Sequence, residues 1–344
     1  MFGAARSCLL NADIPRSNAG FAAPSEINGG HSAEPRFEML GIFERVNRAS
    51  NGNLNRAITR AREFSLKLND YSTFRERVAL GGKLAHASPY RIPQDKGFLR
   101  FEPDAFGGTD ELVRVGRAMF EKNGKTVLNG WKSDKGKSYL VNIFGYEDLD
   151  ENPQVMDFIL HPDLLGTLSG YYGFLPELCS VALMLSPANE TVTGSQEAHF
   201  DLRDSKHIKV FVPVEDVGEE NGPFEFLPSD TSDMVRGKLG VAKRIEDDAL
   251  FALVPRSQFQ RTTAKSGQGL IVDTTNCLHF GGRVRKGYRL MWFLHFGSFW
   301  ENSKAASRTP QKDLRLGYIE NRARFARDRA SRLVLKLDGA PQTQ

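Results

Sequence analysis

Gly267-Gln268-Gly269-Leu270-Ile271-Val272-Asp273-Thr274-Thr275-Asn276-Cys277-Leu278-His279-Phe280-Gly281-Gly282 reads as a turn, a strand, a loop, a histidine and a glycine turn. The apolar run Gly269 to Asp273 is short and bounded by glycine and polar residues, which favours a strand over a helix. Ten residues past His279 stands Arg289, opening the apolar stretch Leu290 to Phe296. Outward from this segment the same period of two recurs. Candidate strands are Cys179 to Ser186, His207 to Val214, Phe224 to Leu227, Gly269 to Asp273 and Tyr288 to Phe296. Glycine, proline and acidic clusters separate them, such as Gly218-Glu219-Glu220-Asn221-Gly222-Pro223. Short strands joined by irregular loops predict a mainly β chain with flanking helices, folded as a double-stranded β-helix, that is, a cupin-like jelly roll.

Upstream the period is helical. Ile58, Ala61, Phe64 and Leu68 recur at helical spacing between Phe37 and about Leu84. Gly97 to Phe101 reads as a short strand. Asp110 to Lys122 reads as a helix capped by Thr109 or Asp110, and Pro153 to Gly170 as a second helical block closed by Gly170 and Gly173. Residues 1–35 are rich in Gly, Ala, Ser, Asn and Pro without a hydrophobic period, which predicts a flexible tail. Residues 36–300 are expected to form a single jelly-roll domain with its N-terminal helices. Residues 301–344 are expected to hold a basic helix, Leu316 to Leu335, and a tail.

The 344 residues carry 46 basic and 42 acidic side chains, a net charge of +4, which is too balanced to argue for nucleic acid. No run approaches the roughly 18 apolar residues that a membrane span requires. Cys8-Leu9-Leu10 is too brief for a secretory signal, and three cysteines (Cys8, Cys179 and Cys277) form no disulfide framework. These points predict a soluble, cytoplasmic protein. After residue 303 the balance turns basic, with Lys304, Arg308, Lys312, Arg315, Arg322, Arg324, Arg327, Arg329, Arg332 and Lys336. That segment reads as a solvated face, or else as a surface for an acidic partner or a subunit contact in a homo-oligomer.

The chemistry concentrates at Ala198-His199-Phe200-Asp201. On a strand, positions i and i+2 share a face, so His199 and Asp201 present an imidazole and a carboxylate side by side. A second histidine from a later strand would complete the two-histidine, one-carboxylate facial triad, which leaves positions open on the metal. His279 is the preferred third ligand, by its turn and strand context. His295 is its rival, because Arg289, Met291, Phe293 and His295 share one strand parity. Arg289 suits a bidentate pair with a carboxylate beside the metal, with Arg285 as the alternative. His207 opens a strand and reads as structural. His31, His86 and His161 lie in flexible or helical stretches without evident partners. Gln196, Glu197 and Lys209 flank the motif. Trp131, Trp292 and Trp300 read as core.

His199-Phe200-Asp201, the segment Val214 to Asp230 with its Asn221-Gly222-Pro223 turn and Leu227-Pro228-Ser229, then His279 and Arg289, resemble the phytanoyl-CoA dioxygenase family. The resemblance runs from about Phe98 to Phe299. It departs where Pro228-Ser229-Asp230-Thr231 replaces the usual Gly-Ser-His ending, and where the interval from His279 to Arg289 is slightly short. The resemblance implies a jelly roll, Fe(II) on His199, Asp201 and His279, and 2-oxoglutarate as co-substrate with its distal carboxylate on Arg289. It also implies use of molecular oxygen, hydroxylation of a C–H bond in a small organic molecule, and release of succinate and CO2. The carboxylate at Asp201 favours hydroxylation over halogenation, since related halogenases carry a small residue there. Two competing readings are a metal-binding cupin-type isomerase or binding protein that does not use 2-oxoglutarate, and a degenerate member acting as an interaction protein.

Overall fold

The computed structural model describes residues 46, 50, 53–131, 139–190, 192–202, 204–240, 244–298, 314–315 and 322–337. All of them lie in the unit Phe43–Gln344. The expected tail over residues 1–35 and Trp300 fall outside the described residues. In chain order the helices are α1 (Asn53–Asn69), α2 (Tyr71–Ala87), α3 (Thr109–Met119), α4 (Lys125–Asn129), α5 (Tyr146–Glu151), α6 (Gln154–Ile159), α7 (Pro162–Tyr172), α8 (Ser229–Leu239), α9 (Asp247–Leu253) and α10 (Arg329–Val334). The strands are β1 (Phe98–Phe101), β2 (Val141–Asn142), β3 (Glu177–Pro187), β4 (Ile208–Pro213), β5 (Glu225–Phe226), β6 (Gln260–Arg261), β7 (Gly269–Asp273), β8 (His279–Phe280), β9 (Tyr288–Gly297) and β10 (Leu314–Arg315). No described helix is long and apolar enough to cross a membrane.

The strands form two antiparallel sheets. The larger runs β1-β7-β4-β9-β3-β10, with β2 also paired to β3; the smaller runs β6-β5-β8. Side-chain parity gives the large sheet two different faces. Leu290, Trp292, Leu294 and Phe296 of β9 join Ile208, Val210 and Val212 of β4 in the core that packs on the helices. Met291, together with Phe211 of β4 and Leu270 and Val272 of β7, joins Phe224 and Phe226 in a separate cluster on the other face, and Phe293 packs against it. A strand buried on both faces reads as a continuous apolar run, which is what β7 shows. Trp292 is fully buried and donates from Nε1 to Leu112 O at 2.9 Å, as a core indole should.

The helical layer differs from expectation at its ends. Gly108, in the left-handed region at φ 90°, precedes α3, while Thr109 is its first residue and turns its hydroxyl back to Phe106 O. Gly170 lies inside α7, and Gly173 at φ 83° ends it. His161 has a partner after all: its Nδ1 accepts from Asp163 N and caps α7.

The expected helix over Leu316 to Leu335 is not continuous over its described residues. Residues 316–321 lie outside the described residues; Arg322–Phe325 is a single 3-10 turn, and α10 begins afresh at Arg329. The turn has already ended at Phe325, and the extended Asp328 accepts from Ser331 N through its carboxylate to start a new helix. The segment is welded to the domain. Leu333, Val334 and Leu335 are fully buried in the helix-side core. Arg77 of α2 donates to Leu333 O at 2.9 Å, to Leu175 O at 2.9 Å and to Glu177 at 3.0 Å. Arg324 pairs with Asp150, Arg327 with Asp157, and Arg329 with Glu76. Arg324, Arg327 and Arg329 thus answer acidic groups of their own domain.

Candidate metal centre

The segment 198–201 is held by two isolated bridges rather than a long strand: Ala198 pairs with Ile245 and His199 with His279. His199 N donates to His279 O at 2.9 Å, and His279 N returns a bond to His199 O at 3.1 Å. This reciprocal pairing sets the two imidazoles side by side, with ring centroids 4.3 Å apart. Asp201 is fixed two residues on, where its N donates to Thr274 O and its carbonyl accepts from Thr275 Oγ1. Ligand atoms of His199, Asp201 and His279 all lie within 4.8 Å of one another, an arrangement that can hold a metal ion.

The two imidazoles are oriented for that task. His199 Nδ1 lies 2.8 Å from Glu197 O, and His279 Nδ1 lies 3.0 Å from Cys277 O. A carbonyl can only accept, so Nδ1 carries the proton in each ring and Nε2 presents a lone pair. Both Nε2 atoms point toward Asp201, at 3.8 Å for His199 and 3.7 Å for His279. His279 Nε2 is buried and has no hydrogen-bond partner, which costs free energy unless a ligand answers it. Burial pulls the His199 pKa down to about 4 against the opposing charge of Asp201, and lowers that of His279 well below the usual histidine range. Burial would raise the Asp201 pKa, but the Lys209 charge, helped by His207 and His279, holds it well below the usual carboxylate range. The site therefore presents two neutral imidazoles and one carboxylate, the donor set of a divalent transition-metal centre.

A cavity opens beside His199 and His279. Phe211, Phe224, Met291 and Phe293 make its apolar walls, and Lys209 and Arg289 add its two cations. The odd-numbered parity of β9 thus brings Arg289, Met291 and Phe293 to the cavity, as the alternation predicts. Arg289 is buried at 4% exposure. Its Nη1 donates to Gly222 O at 2.5 Å and Nη2 reaches Ser186 Oγ at 3.4 Å, while Nε has no partner. Among the described residues no carboxylate pairs with it, and burial lowers its pKa to about 10. A buried guanidinium without a counter-ion is costly, so this end of the cavity is built for an anion.

The glycines around Arg289 are required by close approach. A Cβ on Gly282 would overlap both Gly222 O and Arg289 Nη1, and one on Gly222, itself at φ 67°, would come within 2.7 Å of Val284 N. Only bare backbone at both positions lets the carbonyl meet the guanidinium.

The remaining candidates sort by contact. His295 stands apart from the triad and packs edge-on against His207, with centroids 3.5 Å apart. Arg285 is exposed and lies 3.9 Å from Glu220; Arg283 pairs with Asp247. Gln196 ends its loop by bonding Thr193 N and Asn189. Glu197 contributes its carbonyl to His199. Two side chains at the site were not assigned a role by spacing: Lys209 Nζ is 2.6 Å from Asp201 Oδ2, and His207 Nδ1 is 3.4 Å from the same oxygen. Lys209 lies on β4 and His207 just before it, and no local pattern encodes that these residues meet Asp201.

No family model matches this chain, and no curated protein matches it. Similar solved structures include AviO1 from Streptomyces viridochromogenes Tue57, at 16% identity over 61% of this chain and 93% of that one, with a TM-score of 0.39. EctD from S. alaskensis in its apoform is similar at 17% identity over 63% and 80%, with a TM-score of 0.43. HygX from Streptomyces hygroscopicus with nickel and 2-oxoglutarate bound is similar at 17% identity over 60% and 84%, with a TM-score of 0.42. At these identities and scores the likeness carries no argument about this chain, whose site rests on its own residues.

Proposed function

We propose that this chain is an Fe(II)/2-oxoglutarate-dependent dioxygenase of the phytanoyl-CoA dioxygenase type, built on a jelly roll, that hydroxylates a C–H bond of a small organic metabolite in the cytoplasm. The observation that carries the reading is one cavity lined by His199 and His279, two members of the His199-Asp201-His279 donor set, and by Arg289, a buried guanidinium that no carboxylate of the described residues answers. Metal, anion clamp and dry wall are the three things this chemistry asks of a protein. His199, Asp201 and His279 would hold Fe(II), and Arg289 would take the distal carboxylate of 2-oxoglutarate. Iron bound there supplies activation of molecular oxygen, coupled to conversion of 2-oxoglutarate to succinate and CO2. The residues do the rest. The carbonyls of Glu197 and Cys277 hold each imidazole in the ligating tautomer. Phe211, Phe224 and Phe293 keep water from the reacting groups.

The cupin-type alternative, without 2-oxoglutarate, gives no reason to bury an unpaired arginine in the same cavity. The test is an anaerobic preparation given Fe(II), 2-oxoglutarate and then oxygen, with succinate measured. Succinate formation abolished in His199→Ala, and 2-oxoglutarate affinity reduced in Arg289→Ala, would support the assignment. No succinate from the wild-type chain, together with unchanged metal binding in His199→Ala, would sink it.

A further inference from the structure

The cavity beside the metal centre holds more positive charge than its walls answer. Lys209 and Arg289 line it, and no carboxylate is among its lining residues. Its other polar wall groups are spoken for. The hydroxyls of Tyr139 and Ser195 bond each other at 2.6 Å, and the imidazoles of His199 and His279 turn toward Asp201. The two cations serve different ends of the cavity. Lys209 stands on β4 opposite His295, at the far end of β9 from Arg289. Lys209 Nζ donates to Asp201 Oδ2 at 2.6 Å, and its side chain is 24% exposed. An ammonium carries three donors. Asp201 takes one, and among the described residues no other acceptor meets Nζ.

We propose that the substrate is a small organic acid whose carboxylate is received by Lys209 beside the metal; this deepens the function proposed above and rests on it. The charges decide the class. With a divalent metal and 2-oxoglutarate in place, the metal, Lys209 and Arg289 face Asp201 and the two carboxylates of the co-substrate, which leaves one positive charge unanswered. Phe211, Phe224, Met291 and Phe293 give that charge little solvation, and a charge held against apolar walls is costly unless paired. A neutral substrate leaves the excess in place. A monocarboxylate cancels it, whereas a phosphate monoester, with nearly two negative charges at neutral pH, overshoots. The donors fit the same class. The free N–H groups of Lys209 sit on a flexible stem and can meet a second carboxylate without giving up the first. Lys209 would thereby fix one end of the substrate and select which carbon faces the metal.

The experiment uses the full chain loaded anaerobically with Co(II) and saturating 2-oxoglutarate, with acetate as the probe and acetamide as its neutral counterpart. Broadening of the probe's methyl proton resonance by Co(II) reports both its affinity and its distance from the metal. Acetate should bind the wild-type chain at least roughly tenfold more tightly than acetamide. Lys209→Met should remove that preference and leave acetamide binding as it was, and Lys209→Arg, which keeps the charge, should retain it. Acetate that binds the wild-type chain no better than acetamide overturns the proposal, whether or not the variants fold. An acetate preference that survives in Lys209→Met overturns it as well, because the acetate is then held by the metal or by another group. Weakened 2-oxoglutarate binding in Lys209→Met with acetate binding unchanged gives Lys209 to the co-substrate and overturns it too. No Co(II) uptake, or no 2-oxoglutarate binding, by the wild-type chain removes the proposed function itself, a result distinct from the others.

Discussion

Replacing Gly282 with alanine isolates the anion clamp from the metal. The added Cβ would overlap Gly222 O and Arg289 Nη1, the two atoms whose 2.5 Å bond aims the guanidinium. Neither can yield easily. Gly222 O belongs to backbone so close to its neighbour that an added Cβ would come within 2.7 Å of Val284 N, and Arg289 is anchored in β9 opposite Ser186. Overpacking of this kind costs about 1–3 kcal/mol in stability. The second cost falls on binding. A hydrogen bond to a charged group contributes about 1.5–3 kcal/mol, so losing the aligned guanidinium should weaken 2-oxoglutarate roughly 10- to 150-fold. The ligands of the metal are untouched, so Co(II) affinity should stay within about a factor of two of wild type. Calorimetric titration of Co(II)-loaded protein with 2-oxoglutarate measures the first quantity, and titration of the metal-free protein with Co(II) the second. Gly237→Ala is the control, because a Cβ there meets nothing within 4 Å. A Gly282→Ala protein that folds and binds 2-oxoglutarate like wild type would refute the role given to the Gly222–Arg289 contact.

Three further outcomes are expected. His279→Ala should abolish stoichiometric metal uptake while His295→Ala keeps it, as measured by metal analysis after desalting; the reverse result would move the third ligand to His295. In metal-free protein, His199 has its pKa lowered to about 4 by burial, so the unfolded chain binds a proton that the folded chain refuses between pH 6.5 and about 4. Stability should therefore fall as the pH drops through that window, by about 2 kcal/mol between pH 7 and 5 from this residue. Urea unfolding at the two pH values, with His199→Gln as the comparison, checks it, and equal slopes for the two proteins would contradict it. Leu333→Ala, at a fully buried position of α10, should cost about 2–5 kcal/mol; a loss below about 0.5 kcal/mol would mean the segment does not belong to the core.

The strands were legible because burial on one or both faces leaves a plain trace. Gly269–Asp273 forms over the very residues that its flanking glycine and polar loop mark, and the alternation of β9 separates Trp292 from Arg289 correctly. His199 and Asp201 were legible for the same reason, since a spacing of two places both on one side even in a segment held only by bridges. Helix α8 left no trace: only Ser232, Val235 and Arg236 are buried along it, so there is no apolar stripe to read. The C-terminal helix was overread because an apolar and basic period runs through Leu316 to Leu335, while one capping residue, Asp328, resets the backbone. Lys209 was visible as a residue but not as a partner of Asp201, because long-range register is a property of the assembled sheet.

The Arg77 clasp bears on how the protein is made. Its guanidinium is buried, with its pKa lowered to about 9 by that burial, and it draws acceptors from Leu175 and Glu177 and from Leu333, a residue 256 positions later. At a synthesis rate of about 5–20 residues per second, that interval lasts roughly 13–50 s. Throughout it the nascent chain carries a cation whose burial site is unfinished, next to an apolar surface that awaits Leu333, Val334 and Leu335. The final docking of α2 thereby waits on the synthesis of Leu333. A chain stalled or clipped before Leu333 would leave that surface open to chaperones and proteases.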